Sequence, residues 1–161
     1  MADITTRPAT PEDAGTVLAL VRELAGFERA PPDAVKATEA DLRRGLAGPR
    51  PAFECLIAEA GGEPVGMAVF FPTFSTSEGR PGLQLHDLYV REAARGTGAG
   101  RALVSALARV ALERGCTRLD PDVLDWNPAR GFYEHAGLTR MDGWSFYRAG
   151  LGALVRLAAQ G

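Results

Sequence analysis

Lysine is nearly missing from this chain. Of its 18 basic residues only Lys36 is a lysine, and it lies far upstream of the glycine-rich stretch. A phosphate loop of the G-x-x-x-x-G-K-[ST] kind is therefore excluded. Cysteine is scarce too. Cys55 and Cys116 stand alone, without C-x-x-C spacing or companion histidines, so neither a disulfide framework nor zinc is expected and no metal is assigned. No apolar run reaches the ~18 residues that a membrane span needs, so no membrane partner is expected. Residues 1–5 lack a basic region followed by an apolar core, which reads as no secretory leader and a cytoplasmic protein. A net charge of −2 offers no basic footprint for nucleic acid.

What is present has the composition of an ordinary globular domain. The 161 residues are 46% hydrophobic and 24% charged, enough for one core, and residues 1–161 read as a single domain. Residues 4–7 form a short opening strand that ends at Pro8. Thr10-Pro11-Glu12-Asp13 is a helix start, with Thr as cap, Pro in the first turn and acids at the positive end of the dipole. Val17, Leu20, Val21 and Leu24 follow at helical spacing, and Gly26 is the expected end. Thr38-Glu39-Ala40-Asp41 is a second capping signature. Residues 53–59 and 64–71 read as hairpin strands around Gly61-Gly62, and 72–82 as a polar loop. Residues 118–124 begin another strand, weakened by Pro121. Asn127-Pro128 opens a short helix. Residues 138–141 and 144–147 read as a last hairpin around Asp142-Gly143, and 151–159 as a terminal helix. The order implies an α/β fold with a mixed central sheet flanked by helices.

Residues 83–107 carry the strongest signal. Leu83, Leu85, Leu88, Tyr89 and Val90 mark a strand, which runs through Arg91 into Arg95-Gly96-Thr97-Gly98-Ala99-Gly100-Arg101 and then a helix rich in Ala, Leu and Val. A strand feeding a glycine turn that opens a helix leaves backbone N–H groups unpaired and aimed one way, a site that attracts phosphate oxygens. Glycine permits positive φ and close backbone approach, and Arg95 and Arg101 can add charge-assisted hydrogen bonds. The dinucleotide fingerprint G-x-G-x-x-G does not fit, because Arg101 follows three residues after Gly98 and Leu103 three after Gly100. A glycine turn that merely joins strand to helix is the competing reading.

Further on stands Val123-Leu124-Asp125-Trp126-Asn127-Pro128-Ala129-Arg130-Gly131-Phe132-Tyr133, closing at Gly137. With Arg95-x-x-Gly98-x-Gly100, this pattern resembles the GNAT superfamily of N-acetyltransferases. The opening Ile4-x-x-Arg7-Pro8-Ala9-Thr10, the segment Glu23-Leu24-Ala25-Gly26-Phe27-Glu28 and the end Gly143-Trp144-x-x-Tyr147-Arg148 are similar to its diamine (spermidine/spermine) branch. The likeness covers nearly the whole chain. It implies the GNAT acyl-CoA N-acyltransferase fold, with a splay between two middle parallel strands, here ending near Val90 and Leu124. It implies acetyl-CoA as co-substrate, held by Leu88, Tyr89, Val90, Arg95, Gly96, Thr97, Gly98, Ala99, Gly100, Arg101, Asn127 and Tyr133. A homodimer and a small-molecule amine acceptor are also implied.

The resemblance gives Tyr133 the role of protonating the departing thiolate. The other reading of Phe132-Tyr133 is an aromatic pair packing a short helix, with Phe132 facing the core. Asn127 suits a helix cap and a pantetheine contact alike. The acceptor needs a proton acceptor, since a primary amine with pKa ~10.4 is under about one part in a thousand neutral at pH 7. The diamine branch has an acidic pair where this chain has His86-Asp87, so His86 is a departure. A histidine is a suitable base near neutral pH and removes one negative charge from the pocket. Strand alternation would send His86 and Asp87 to opposite faces unless a bulge intervenes. Phe27, Glu28, Asp142 and Trp144 complete the expected acceptor pocket with His86 and Asp87, carboxylates and aromatic faces suiting a cation. His135 is expected to be exposed and inert. The expected activity is direct acetyl transfer in a ternary complex to a diamine, polyamine or lysine-like amine. A protein or peptide N-acetyltransferase and a non-catalytic acyl-CoA-binding module remain as alternatives.

Overall fold

The computed structural model describes residues 3–160, so Met1 and Ala2, which begin the stretch read for a leader, lie outside it. The chain divides into two compact units, the first ending at Asn127 and the second beginning at Pro128.

The first unit holds a five-stranded sheet in sequential order. Its strands are β1 (Ile4–Pro8), β2 (Glu54–Ala60), β3 (Glu63–Ser75), β4 (Arg80–Val90) and β5 (Leu119–Pro121). Neighbours from β1 to β4 pair antiparallel, and β4 pairs with β5 in parallel. Three helices accompany the sheet: α1 (Ala14–Phe27), α2 (Glu39–Leu46) and α3 (Ala99–Glu113). Val17, Leu20 and Leu24 of α1 and Leu46 of α2 bury against Cys55, Ile57, Met67 and Val69. Those strand residues alternate with buried Leu56, Ala58, Ala68 and Phe70, which point to the other face. The buried Leu103 and Leu107 belong to α3, which packs across β1, β2, β3 and β4.

Both capping signatures form. Thr38 Oγ1 accepts the Asp41 N–H at 3.2 Å while its own N–H donates to Asp41 Oδ2 at 2.9 Å. At Thr10 the N–H donates to Asp13 Oδ2 at 2.7 Å, and a 3-10 turn (Pro11–Asp13) precedes α1.

Several boundaries differ from the sequence reading. Helix α1 passes through Gly26 and stops only at Phe27. There the Arg29 N–H donates to the Gly26 carbonyl at 3.1 Å and the Ala30 N–H to Ala25 at 2.9 Å, with Arg29 at φ 59°. This is a Schellman closure with arginine in the left-handed place, a conformation that costs an L-residue roughly 1–2 kcal/mol. The expected loop over 72–82 shrinks to a tight connection, because β3 runs on to Ser75 and β4 starts at Arg80. Strand β5 spans three residues and ends at Pro121 instead of Leu124, since proline offers no ladder N–H.

The second unit contains α4 (Ala129–His135) and α5 (Leu151–Ala158). The expected hairpin over 138–147 does not form, and residues 138–150 carry neither strand nor helix. Residues 141–150 are all exposed. A lone hairpin without a buried face is marginal in water. Helix α4 begins at Ala129 with Pro128 at its N-cap, one residue later than expected.

Candidate active site

The end of β4 is where the sheet opens. Leu83, Gln84 and Leu85 pair with Leu119, Asp120 and Pro121, and the Asp122 N–H still reaches the Leu85 carbonyl at 3.3 Å. Beyond that point β4 keeps its antiparallel pairing to β3 as far as Val90 but has no ladder partner on the β5 side. Leu88, Tyr89 and Val90 therefore border a gap between two parallel strands, where the N–H groups of Leu88 and Val90 face away from β3 and that of Tyr89 stays on it.

The chain then turns through a 3-10 segment (Glu92–Ala94) into Gly96 at φ 78° and Gly98 at φ 91°. Gly98 is the N-cap of α3, and the first bond of that helix runs from the Ala102 N–H to the Gly98 carbonyl at 2.9 Å. The N–H groups of Ala99, Gly100 and Arg101 stand ahead of it without intrahelical partners. Among the described residues, no atom beyond the chain neighbours lies within 4 Å of a Cβ placed on Gly96 or Gly98, so glycine is required there by conformation and not by crowding from the fold. The first turn of α3 holds no acid. Thr97 Oγ1 donates to the Ala94 carbonyl at 2.6 Å and holds the turn closed. The donor set suits a diphosphate: positive-φ glycines, N–H groups without intrahelical partners, exposed Arg101, and no acid in the first turn of α3.

Two arginines brace this entrance. Arg91 grips Glu23 of α1 through Nε and Nη2, at 3.1 and 2.9 Å, and donates Nη1 to the Pro64 carbonyl at 2.9 Å. Neither Glu23 nor Arg91 was singled out from the sequence; their separation of 68 residues leaves no local signal. Arg95 donates Nε to the Val90 carbonyl at 3.1 Å and lies over the Phe27 ring at 4.7 Å and the Tyr89 ring at 5.9 Å.

Upstream on β4 the acceptor candidates gather. The pairing of β3 with β4 jumps from Val69↔Asp87 to Phe70↔Leu85, which leaves His86 as the extra residue of a β-bulge. Asp87 stands in register with Val69, which stands in register with Cys55, so Asp87 shares the α1 face of the sheet. The bulge brings His86 to that face as well, its ring 5.1 Å from Phe71. Electrostatics agree with this grouping. Burial, and then the Asp87 charge, push the Glu28 carboxyl above its ordinary range, and His86 opposes the rise. Burial raises Asp87, again against His86. The Cys55 thiol is pushed up to about 12, first by burial and next by Asp87. Glu28, His86 and Asp87 therefore sense one another at one place. Phe27 adjoins them, half-buried beside Trp126 at 6.0 Å between ring centres.

The remaining sequence candidates fall as follows. Asn127 is buried and its N–H donates to the Leu124 carbonyl at 2.9 Å. In the second unit, Tyr133 is the buried residue of α4, and it, rather than Phe132, is the more enclosed member of the aromatic pair. Asp142 pairs with Arg140 at 2.9 Å, and both are exposed, as is Trp144. His135 is exposed, as expected. No group of three or more His, Cys, Asp or Glu among the described residues is arranged to hold a metal ion.

A gap at the end of two parallel strands, followed by a glycine turn into a helix with unpaired N–H groups, is the arrangement expected of an acyl-CoA-dependent transferase. Comparison with known proteins gives the family. The sequence profile described as "Acetyltransferase (GNAT) family" matches residues 19–138. A thialysine N-epsilon-acetyltransferase of Bos taurus is 38% identical over 172 aligned positions, covering 99% of this chain and all of that protein. The Caenorhabditis elegans protein of the same name is 35% identical, over 92% of this chain and 93% of its own length. Among solved structures, an integron cassette protein of V. cholerae superposes with a TM-score of 0.79 over 98% of both chains at 24% identity, which speaks for the fold. The chain belongs to the GNAT acetyltransferase family and is an acetyl-CoA-dependent N-acetyltransferase.

Proposed function

We propose that the protein moves an acetyl group from acetyl-CoA to the terminal primary amine of a small diamine, polyamine or lysine-like molecule, by direct attack with both substrates bound. The observation that carries this reading is the convergence of Glu28, His86 and Asp87 at the β4 bulge, next to the open end of the parallel strands. The names of the relatives, thialysine N-epsilon-acetyltransferases and a spermidine/spermine N(1)-acetyltransferase-like protein, support the acceptor class.

When bound, acetyl-CoA supplies an activated thioester. The N–H groups of residues 96–101, with Arg95 and Arg101, would hold its diphosphate, and Asn127 would contact the pantetheine amides. The N–H groups of Leu88 and Val90, which alternate away from β3, would hydrogen-bond the thioester carbonyl and stabilise charge developing on it, while Tyr89 between them keeps its backbone on β3. Glu28 and Asp87 hold the acceptor ammonium, with Phe27 as an aromatic wall. His86 takes the proton that the ammonium must lose before it can attack, directly or through one water. The Tyr133 hydroxyl then donates to the departing sulfur. Phenol near ~10 against thiol near ~8.5 makes full transfer uphill by about 2 kcal/mol, so its main work is to stabilise the developing thiolate. Asp142 and Trp144 serve the acceptor side. The family match runs across the boundary between the units, which supports one catalytic domain.

The exposed Met141, Trp144, Phe146 and Tyr147, with α5 burying none of its side chains, support a homodimer through the second unit. Free, buried Cys55 and Cys116 support a reducing, cytoplasmic setting. The test is a panel of amines with acetyl-CoA, read by release of free thiol and by product mass. Transfer to small primary amines is expected. Binding of CoA without turnover on any amine leaves a non-catalytic module, and transfer restricted to peptides leaves a protein acetyltransferase.

A further inference from the structure

Just past the C-terminal end of α1 stands an arginine whose placement the transfer chemistry above does not use. Arg29 is the one non-glycine residue with positive φ among the described residues, at 59°. Glycine would close the helix there without strain, so a residue held in this region calls for a functional reason. Its guanidinium lies 4.2 Å from the centre of the Trp126 ring. Trp126 meets Phe27, and Phe27 carries Arg95 on its own ring. The row Arg29, Trp126, Phe27, Arg95 thus ties the helix end to the segment after β5 and to the coenzyme cradle.

The two guanidiniums of this row differ in one respect. Arg95 is engaged with the Val90 carbonyl. Arg7, Arg91 and Arg114 elsewhere are each held by carboxylates. Arg29 has no carboxylate or carbonyl partner for its guanidinium among the described residues, and it is exposed. Its position over Trp126 restrains the group, and its exposure keeps N–H donors open to a ligand. A guanidinium edge matches a carboxylate, with two parallel hydrogen bonds. It stands one residue from Glu28, which senses both His86 and Asp87.

We propose that Arg29 is a specificity residue that reads a carboxylate on the acceptor, so that a zwitterionic ω-amino acid is preferred over a diamine of the same length. The terminal ammonium sits at Glu28 and Asp87 and the carboxylate on Arg29. A diamine offers a second ammonium in that place, which the guanidinium repels. This rests on the acceptor site proposed above.

Lysine, lysine amide and cadaverine are matched probes: the first carries the carboxylate, the second masks it, and the third lacks it. Arg29→Asn and Arg29→Gly remove the charge while both residues accept the left-handed conformation, and melting curves verify that the variants are folded. Wild type is expected to favour lysine over lysine amide and cadaverine. In both variants KM for lysine rises about tenfold or more with kcat little changed, the weight of a charge-assisted hydrogen bond, while cadaverine is used as well as before or better. An equal change for lysine and cadaverine, or a wild type indifferent to the carboxylate, overturns the Arg29 assignment and leaves amine acetylation standing. Absence of acetyl transfer to any amine removes the acceptor site itself, and this assignment with it.

Discussion

Asp87→Asn is expected to make the protein more stable and a worse enzyme. Asp87 is carried on β4 toward the α1 face, in line with Val69 and Cys55 of the core, and burial raises its carboxyl above the ordinary range. The charged form is therefore destabilised in the folded state. A group whose folded pKa is raised takes stability away as pH climbs through that value and costs nothing once it is protonated in both states. Asparagine has the same shape without the charge. At pH 4 or below, variant and wild type should melt together. From there the difference should grow in favour of the variant and level off above the folded pKa of Asp87. A half-enclosed, poorly compensated charge is worth about 1–3 kcal/mol, and at ~2–4 °C per kcal/mol for a chain of this size the Tm should rise by several degrees at pH 8. Glu28 reinforces the sign, since the Asp87 charge also raises its carboxyl. Melting curves from pH 4 to 8 test it. A variant less stable than wild type at pH 8, or a difference that ignores pH, would refute the account of a buried charge kept for function. On the kinetic side KM for the amine should rise about tenfold, with acetyl-CoA binding unchanged.

Tyr133→Phe should lower kcat strongly and leave acetyl-CoA affinity nearly as it was; unchanged turnover removes the hydroxyl from the mechanism. Gly98→Val forces a β-branched residue to φ 91° at the N-cap of α3, a strain of roughly 1–3 kcal/mol, and places a side chain over the cradle. Calorimetry should show coenzyme binding abolished, and a normal Kd would rule the cradle out. For His86→Gln the low-pH limb of kcat/KM should disappear, whereas an unaltered pH profile would leave His86 without a proton to carry.

The parts of this molecule that were legible in the sequence are those whose chemistry is local. Thr10 with Asp13 and Thr38 with Asp41 each close a capping box within four residues, and Gly98 occupies a left-handed N-cap that few residues tolerate. Such positions announce themselves because the residue type answers a backbone demand a few bonds away. Arg29 does the reverse. Local signals placed the helix end at Gly26, yet the chain closes at an arginine that lies on Trp126, 97 positions downstream. The hairpin read over 138–147 has the right turn residues but no buried face in its own unit, and turn chemistry alone does not hold two strands together.

The bulge at His86 shows best why the site could be only half read. Alternation along β4 separates His86 from Asp87, and nothing in the strand's own sequence says otherwise. The register of a different strand decides it, because β3 supplies one residue fewer than β4 between Val69 and Phe70. One unpaired residue turns an alternating pair into two side chains on one face, the arrangement that the proposed roles of Asp87 toward the ammonium and His86 toward its proton would require. A deletion of His86 would restore regular pairing and leave Asp87 alone in the pocket. Such a protein should fold and bind acetyl-CoA but accept the amine's proton poorly, so its kcat/KM would climb only at high pH, where the free amine forms in solution. A deletion variant that keeps the wild-type pH profile would show that the bulge serves the sheet and not the reaction.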